Sequence, residues 1–539
     1  MASSDSPPYS DKMAHDKMGG LKQRNVAHDN APRLSVDDTA DHFLESLGYK
    51  PELSRNRSTA QVAFMSFVLA SIPYGLATTL LYPFIGGGPV VVIWGWVLVS
   101  CIIVCVAASL GEITSVYPTA GGVYYQAFML APTEWRRAAS WICGWLYVVG
   151  NITITLAVNF GTTLFYVGCI NVFTKIDENG DEVGVFGGAD GPPTYQVFLI
   201  FLGITVVCNL VSALGNKWLP WIDTAAIFWT FAGVLAITIT VLVLAKSGRN
   251  SASYALGHFE TESGWPAGWS FCVGLLHAGY ATSSTGMIIS MCEEVQEPAT
   301  QVPKAMVATI FINTFAGLLF LVPLMFVMPH EIPAIIASGQ PVPYIIKAAV
   351  GSAGGAMGLL IPLMVLAIIC GIGCTTAASR CTWAFARDGA IPGSKWWIKV
   401  NKTLDVPLNA MMLSMAVQIL LGFIYFGSTT AFNAFSGVGV IALTASYATP
   451  IALNLFTGRR QVEGCKFPLG KFGYVANTVA IAWSLLALPL FCMPSYFPIT
   501  DANGVNYASV VFVAAMGISG LWYWVWGHRN YAGPPVHEQ

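Results

Sequence analysis

Twelve long apolar runs occupy most of this 539-residue chain and constrain its fold more than any other feature. Each run holds the ~20 mostly apolar residues that a helix needs to cross a bilayer. Because backbone groups in hydrocarbon must be satisfied internally, runs of this length cross as helices. The sequence therefore predicts an all-α polytopic membrane protein with 12 transmembrane helices. These predicted spans are numbered 1 to 12 and lie near residues 61–84, 89–113, 138–170, 194–214, 219–245, 266–291, 304–328, 353–386, 407–426, 429–456, 472–493 and 507–527.

Composition excludes several classes of protein. Charged residues are 10% of the chain, whereas soluble domains hold about 25%. The net charge of −2 gives no basic surface for a nucleic-acid partner. Most of the 12 Cys residues lie inside apolar runs without metal-ligand spacing, as small hydrophobic residues do. With no catalytic Ser, His and Asp set or metal cluster visible, we expect a lipid bilayer as surroundings, no cofactor, no metal and no enzymatic activity.

The polar and apolar regions divide the chain into three parts. Residues 1–58 are rich in charge, Pro and Ser and predict a mostly disordered cytoplasmic tail. Only its stretch from Phe43 to Leu53 has enough apolar residues to dock on the body. Residues 59–530 form the membrane domain, and residues 531–539 form a short cytoplasmic C-terminal tail. No pattern in the sequence predicts an oligomeric state.

The distribution of Lys and Arg predicts the orientation of the spans. Loops on the cytoplasmic side of membrane proteins carry an excess of these residues. If the N-terminus is cytoplasmic, thirteen Lys and Arg residues fall on that side and four fall on the other. The count favours an even number of spans, with both termini in the cytoplasm.

A few ionisable residues are placed at membrane depth, where they are costly and commonly functional. They lie mostly at the ends of spans, where the alternative is a structural ion pair at the interface. A histidine in the middle of span 6 is either hydrogen-bonded within the bundle or exposed to substrate or protons. These residues are Glu112, Asp223, His277, Glu293, Glu294, Arg380, Arg387 and Asp388.

Spans 1 and 6 both contain residues that interrupt a helix near its middle. Span 1 contains Pro73-Tyr74-Gly75, and span 6 contains three glycines and a run of hydroxyl residues between Gly274 and Gly286. Proline removes a backbone donor, and glycine relaxes the backbone. Interrupted spans at equivalent positions of two five-span repeats indicate a substrate site of a secondary transporter. The alternative is a proline kink with ordinary small-residue packing.

Three further motifs resemble those of the amino acid–polyamine–organocation superfamily. Glu112 is followed by Tyr117-Pro118-Thr119-Ala120-Gly121-Gly122 after span 2, and Glu293-Glu294-Val295 leads into Val302-Pro303-Lys304-Ala305 after span 6. Span 8 ends with Arg380 and Ala384-Phe385-Ala386-Arg387-Asp388-Gly389. Within the superfamily the chain is most similar to fungal amino acid/choline permeases, and among these to the choline transporters.

The resemblance implies a plasma-membrane importer that works by alternating access. It implies an inverted repeat of five plus five helices, with discontinuous spans 1 and 6. The repeats would cover residues ~61–245 and ~266–456, with two accessory helices at ~472–527. Substrate contacts would come from spans 1, 3, 6, 8 and 10. Gating or coupling would fall to Glu112, Asp223, Glu293, Glu294 and Arg380.

Aromatic residues concentrate near the predicted site and favour a cationic substrate. Span 1 has a single glycine at its break, unlike the glycine-rich carboxylate cradle of amino-acid carriers, while aromatic faces attract quaternary ammonium groups by ~2 kcal/mol per desolvated contact. We therefore predict a choline or related amine substrate held by an aromatic cage. The predicted substrate-binding residues are Pro73, Tyr74, Gly75, Trp141, Trp145, Tyr147, Phe271, His277, Tyr280 and Phe435, with Phe432 beside the last.

Two other functions remain open from the sequence. A proton-coupled GABA or amino-acid permease would use His277 or Asp223 as the proton carrier. A receptor that binds without transporting is the other alternative, although a static scaffold gains nothing from two broken helices. The substrate is in every case a small-molecule amine or amino acid, with protons as the candidate coupling ion.

Overall fold

The computed structural model describes residues 41–42, 44–53, 55, 59–177, 180, 182–188, 191–427, 431–499 and 505–535. All of them belong to one unit, Val36–Gln539. Within the described residues, eleven helices are long and apolar enough to cross a membrane. The one predicted span without such a helix is span 6, which is divided into three shorter helical segments. The all-α polytopic architecture predicted from the apolar runs is confirmed.

The spans keep their predicted order, with small shifts at their ends. Span 7 begins six residues earlier than predicted, because Pro298 occupies the first turn, where a missing N–H costs nothing. The spans comprise Thr59–Ala70, Ile72–Thr79 and Leu81–Gly87 (1), Val91–Gly95 and Trp96–Val116 (2), Arg136–Ile170 (3), Thr194–Leu214 (4), Asn216–Trp218 and Leu219–Leu244 (5), Ala267–Gly274, Leu276–Thr282 and Ser283–Glu294 (6), Pro298–Val327 (7), Ala353–Arg387 (8), Leu408–Gly422 and Phe423–Phe426 (9), Ala431–Phe456 (10), Phe472–Leu490 (11), and Ala508–Trp522, Tyr523–Gly527 and His528–Asn530 (12).

Short elements connect the spans. Strands β1 (Thr174–Ile176) and β2 (Glu182–Gly184) pair antiparallel between spans 3 and 4. The residues predicted to turn between spans 9 and 10 include 428–430, which lie outside the described residues. The connecting helices are Gly122–Leu130, Ala252–Gly257, Ile332–Ala337, Pro341–Val350, Ser394–Trp397 and Arg460–Val462.

Corresponding spans of the two predicted repeats pack against each other. Span 1 contacts span 6 at their breaks, span 2 contacts span 7, and span 3 contacts span 8. Span 10 lies along span 3, and spans 11 and 12 pack on the outside against span 10. This arrangement brings the interrupted halves of spans 1 and 6 together inside the bundle. Large apolar side chains such as Phe228, Val243 and Leu214 remain exposed on the outside, as lipid-facing residues do.

The ends of spans 2, 6, 8 and 10 converge on one side of the bundle, which we call the ion-pair face. The last residues of the N-terminal tail pack on this face, where Leu44 and Tyr49 are buried beside Tyr125. The chain after span 12 also folds back, and Tyr531 is buried with its hydroxyl 3.0 Å from Ser140 Oγ. Both ends of the described chain are therefore attached to the same side.

Candidate functional site

The break in span 1 lies at Ser71. Its backbone has φ 37° and ψ 53°, in the left-handed region, so the helix stops at Ala70 and restarts at Ile72. A non-glycine residue in that region is strained, and such strain accumulates at functional sites. The Pro73 ring is the local cause, because it has no N–H to donate to the carbonyl of residue 69.

The carbonyl that Pro73 leaves without its helical donor is that of Leu69. Two thiols of span 8 lie near it, with Cys370 Sγ at 3.7 Å and Cys374 Sγ at 3.9 Å from the oxygen. Thiols are weak donors, so this buried oxygen keeps most of its capacity to accept. The break therefore exposes a partial negative charge inside the bundle.

The break in span 6 begins at Gly274 and continues as a tight helix. After Leu276–Thr282 the chain forms a 3₁₀ helix over Ser283–Glu294. Runs of 3₁₀ helix longer than four residues are uncommon and mark strained or hinge segments. The segment is therefore overwound rather than extended, which the glycine pattern alone did not predict.

Two tyrosine hydroxyls donate to carbonyls of this overwound segment. Tyr447 of span 10 donates to the Ser283 carbonyl at 3.0 Å, and Tyr147 of span 3 donates to the Gly286 carbonyl at 3.1 Å. A Cβ atom at Gly286 would lie 2.5 Å from the Tyr447 ring. Gly286 is thus needed for the close approach of Tyr447.

A small cavity lies between the two breaks. Its volume is about 10 Å³, room for about one water molecule. Spans 1, 3, 6 and 8 all contribute to its wall. None of the lining residues, as far as the chain is described, carries a charged side chain. The lining residues are Leu69, Ala70, Tyr74, Gly75, Ile154, Val158, Tyr280, Ala281, Ser283, Ser284, Cys370 and Cys374.

The two tyrosines of this cavity differ in their hydrogen bonds. The Tyr74 hydroxyl lies 2.9 Å from the Val158 carbonyl and 2.7 Å from Thr162 Oγ1. The buried Tyr280 hydroxyl has no hydrogen-bond partner among the described residues. A buried hydroxyl without a partner costs about 1–3 kcal/mol, so Tyr280 is the group most ready to bind a ligand.

The predicted aromatic cage is only partly assembled. Tyr74, Gly75 and Tyr280 line the cavity. Tyr147 is not among the lining residues but donates to the Gly286 carbonyl of the overwound segment. Trp141 instead donates from Nε1 to the Ser519 carbonyl of span 12 at 3.2 Å. Trp145 packs at 5.9 Å against Phe385. These two tryptophans therefore belong to the region near the ion-pair face, away from the breaks.

The remaining predicted substrate residues also lie outside the cavity wall. Pro73 faces spans 5 and 8, beside Gly233 and Pro362. His277 is fully buried, and its Nδ1 is 3.0 Å from the Gly274 carbonyl. Phe271 lies half-buried in the first segment of span 6, and Phe435 is buried in span 10. The side chain of Phe432 lies outside the described residues.

Two ion pairs connect the end of span 6 to the end of span 8. Arg387 donates to both carboxylate oxygens of Glu293, at 2.8 and 3.0 Å, and the Ala120 N–H donates to the same carboxylate at 3.1 Å. Arg380 donates from Nε to Glu294 at 2.7 Å. Removing one partner of a buried pair is strongly destabilising, so these pairs hold the two ends together.

Arg380 also extends the polar network sideways. Its other nitrogens donate to Ser379 Oγ and to Asn216 Oδ1, both at 3.0 Å. The guanidinium is fully buried, so these hydrogen bonds compensate for the hydration that it loses on burial. The network thereby links span 8 to the start of span 5.

Glu112 and Asp223, the other two predicted gating residues, occupy different places. Glu112 accepts from Arg459 at 2.5 Å and from the Leu469 N–H at 3.0 Å, which ties span 2 to the loop after span 10. Asp223 lines a second cavity of about 10 Å³ between spans 1, 5, 6 and 8, and Thr376 also lines it.

The sequence did not single out several residues that the structure brings to the site. Tyr447 sits between small residues in span 10, and that local pattern is its only signal. Cys370 and Cys374 are four positions apart on span 8, so they share one face of that helix. Within the described part of the chain, no cluster of three or more His, Cys, Asp or Glu side chains could hold a metal ion.

Comparison with known proteins agrees with this architecture. The family model described as amino acid permease matches residues 58–516. The amino-acid permease BAT1 of Arabidopsis thaliana is 31% identical, covering 93% of this chain and 97% of its own length. The choline transporter of Saccharomyces cerevisiae is 29% identical over 92% of this chain and 86% of its own. The polyamine transporter TPO5 of the same yeast is 29% identical over 92% and 79%.

Proposed function

Because the chain belongs to the amino acid permease family, we propose that it imports choline or a related small amine by alternating access. The observation that carries this proposal is the chemistry of the cavity between the two breaks. Its wall offers the Leu69 carbonyl, the Tyr280 ring and hydroxyl, and no charged side chain among its described residues. Carbonyls and aromatic faces attract a cation rather than a carboxylate, whereas the Tyr280 hydroxyl can donate to an alcohol or to a carboxylate.

The start of the second helical segment of span 1 supports an amine over an amino acid. Helix N-termini bind carboxylates through free N–H groups. Here Pro73 has no N–H, and the Gly75 N–H donates to the Ser71 carbonyl at 2.9 Å. The break also holds a single glycine beside the bulky Tyr74, unlike the glycine-rich break expected of amino-acid carriers. A carboxylate would therefore find few donors at this break.

The relatives support a small amine or amino-acid substrate without deciding between the two. One is named a choline transporter, one a polyamine transporter and one an amino-acid permease. A methylated ammonium is weakly hydrated, so aromatic contacts of ~2 kcal/mol each offset much of its desolvation. The chemistry of an uncharged wall favours choline, which has one weakly hydrated charge, over a polyamine, whose several charges would each require a carboxylate or carbonyl.

The charge distribution supports an orientation. We propose that the ion-pair face is cytoplasmic and that the protein resides in the plasma membrane, with both termini inside. The connections on this side of the membrane carry the excess of Lys and Arg. In this orientation the pairs Glu293–Arg387 and Glu294–Arg380 close the cytoplasmic exit of the cavity.

A proton-coupled amino-acid permease is the second candidate function. The buried His277 lies in the middle of span 6, with its Nδ1 3.0 Å from the Gly274 carbonyl, and Asp223 lines a cavity beside span 1. Either group could carry a proton if the substrate were a zwitterion. A zwitterion gains nothing from the membrane potential and needs such coupling.

We expect the membrane potential alone to drive choline uptake into proteoliposomes. An inside-negative potential of ~100 mV contributes ~2.3 kcal/mol per positive charge, which supports roughly fifty-fold accumulation. Radiolabelled choline is measured with a potassium gradient and valinomycin, and the control vesicles lack the potassium gradient. Uptake of GABA driven by a pH gradient, with no choline uptake under the potential, would contradict the proposal.

A further inference from the structure

The last residues of the N-terminal tail are bonded to the ends of several spans. The Tyr49 hydroxyl donates to the Asp388 carboxylate, with its oxygen 3.0 and 2.9 Å from the two carboxylate oxygens. Tyr124 donates to the same carboxylate at 2.7 Å. Burial raises the pKa of Asp388 to about 6, while Arg387 and the two hydroxyls oppose that rise. Tyr49 is therefore one of three groups, with Arg387 and Tyr124, that stabilise the ionised carboxylate.

The ring of Tyr49 contacts the ion pair itself. The guanidinium carbon of Arg387 lies 4.0 Å from the centre of the Tyr49 ring and 4.5 Å from that of Trp383. This is the guanidinium that binds both oxygens of Glu293. Since Tyr49 is buried, it covers the pair and excludes water from it.

A second anchor joins the same segment to span 6. Arg55 donates from Nη1 to the Val295 carbonyl, the residue after span 6, at 2.8 Å. Between the two anchors, Leu53 is buried against Ala120, Trp383 and Ala410. One short segment is therefore attached to the ends of both span 6 and span 8.

Those two spans form opposite walls of the central cavity. Span 6 contributes Tyr280 and Ser283, and span 8 contributes Cys370 and Cys374. A path from the cavity to the ion-pair face requires the ends of spans 6 and 8 to separate. A segment anchored to both ends opposes that separation, beyond the two ion pairs.

We propose that residues 44–53 and Arg55 form an N-terminal latch that holds the ion-pair face closed and must release before the cavity opens there. This goes beyond the proposed function, because it assigns the tail a control over the transport cycle whichever amine is carried. If the latch acts in this way, weakening the bonds of Tyr49 raises the population of the state in which the cavity is open to the ion-pair face. No residue of the cavity itself is changed.

Labelling of a native thiol tests the latch without any substrate. Cys292 is fully buried in the last part of span 6, and Cys169 is fully buried at the far end of span 3. The full-length purified protein is treated with a small maleimide, and labelling of each cysteine is followed by mass spectrometry. In Tyr49→Phe, which loses hydrogen bonds to a charged group, we expect Cys292 to label roughly tenfold to a hundredfold faster, with Cys169 unchanged.

Two further variants keep the test decisive. Tyr474→Phe is the matched control, because Tyr474 lies on the same face and donates to the Gly458 carbonyl instead. Arg55→Gln loosens the other anchor and should reproduce the effect of Tyr49→Phe. If Cys292 labels at the wild-type rate in both latch variants, or if Cys169 accelerates equally, the latch is refuted. Because no substrate is used, failure of choline transport would leave this result unaffected.

Discussion

Replacing Glu293 with glutamine is expected to lower the free energy of unfolding by about 3–5 kcal/mol. The change keeps the shape of the side chain but removes the negative charge that Arg387 binds through Nη1 and Nη2. Glu293 is 2% exposed and Arg387 is 13% exposed, so water cannot replace the lost partner. Thermal unfolding of the purified variant measures the loss.

Two variants show whether the effect comes from the buried pair. Glu463→Gln is the control, because Glu463 is exposed on the same side of the bundle. Adding Arg387→Met to Glu293→Gln should recover part of the stability, because the unpaired guanidinium is then gone. Equal unfolding temperatures for Glu293→Gln and Glu463→Gln would show that the pair does not hold spans 6 and 8 together.

Replacing Tyr280 with alanine is expected to weaken choline binding roughly thirty-fold. A desolvated cation–π contact contributes ~2 kcal/mol, and 1.4 kcal/mol corresponds to a factor of ten. Tyr280→Phe keeps the ring and loses the hydroxyl that the cavity offers to a ligand. It should therefore weaken choline binding, but less than Tyr280→Ala does. Titration calorimetry of the purified variants compares the dissociation constants.

The control for this series is an aromatic residue outside the bundle. Tyr195 is exposed at the start of span 4, so Tyr195→Ala should leave choline binding unchanged. A Tyr280→Ala variant that binds choline with the wild-type dissociation constant would show that the ring does not contact the substrate. The cation would then have to be held by the carbonyls of the breaks alone.

The order of the spans and both broken helices could be predicted from the sequence for physical reasons. A run of ~20 apolar residues leaves a helix few alternatives in a bilayer. Pro73 has a local effect on its own helix, so the break in span 1 followed from the residue itself. The overwound form of span 6 was not predictable, because it depends on Tyr447 and Tyr147 from other spans.

The rotation of each helix about its axis could not be predicted from the sequence, so the neighbours of each predicted site residue could not be predicted either. A span buried among other spans and lipid is apolar on every side, so periodicity does not indicate which residues face inward. Trp141 and Tyr147 lie on the same span, yet only Tyr147 contacts the overwound segment. Ion-pair partners were equally hidden, since Arg459 follows its partner Glu112 by 347 residues.

The most direct test of the amine proposal is a thermal-shift panel on the wild-type protein in detergent. The panel comprises choline, ethanolamine, betaine, GABA, a neutral amino acid and arginine. A ligand at 100 times its dissociation constant stabilises the folded state by ~2.7 kcal/mol, which is a measurable shift. We expect choline to raise the unfolding temperature and GABA to leave it unchanged. A shift with GABA or the neutral amino acid, and none with choline, would contradict the proposal.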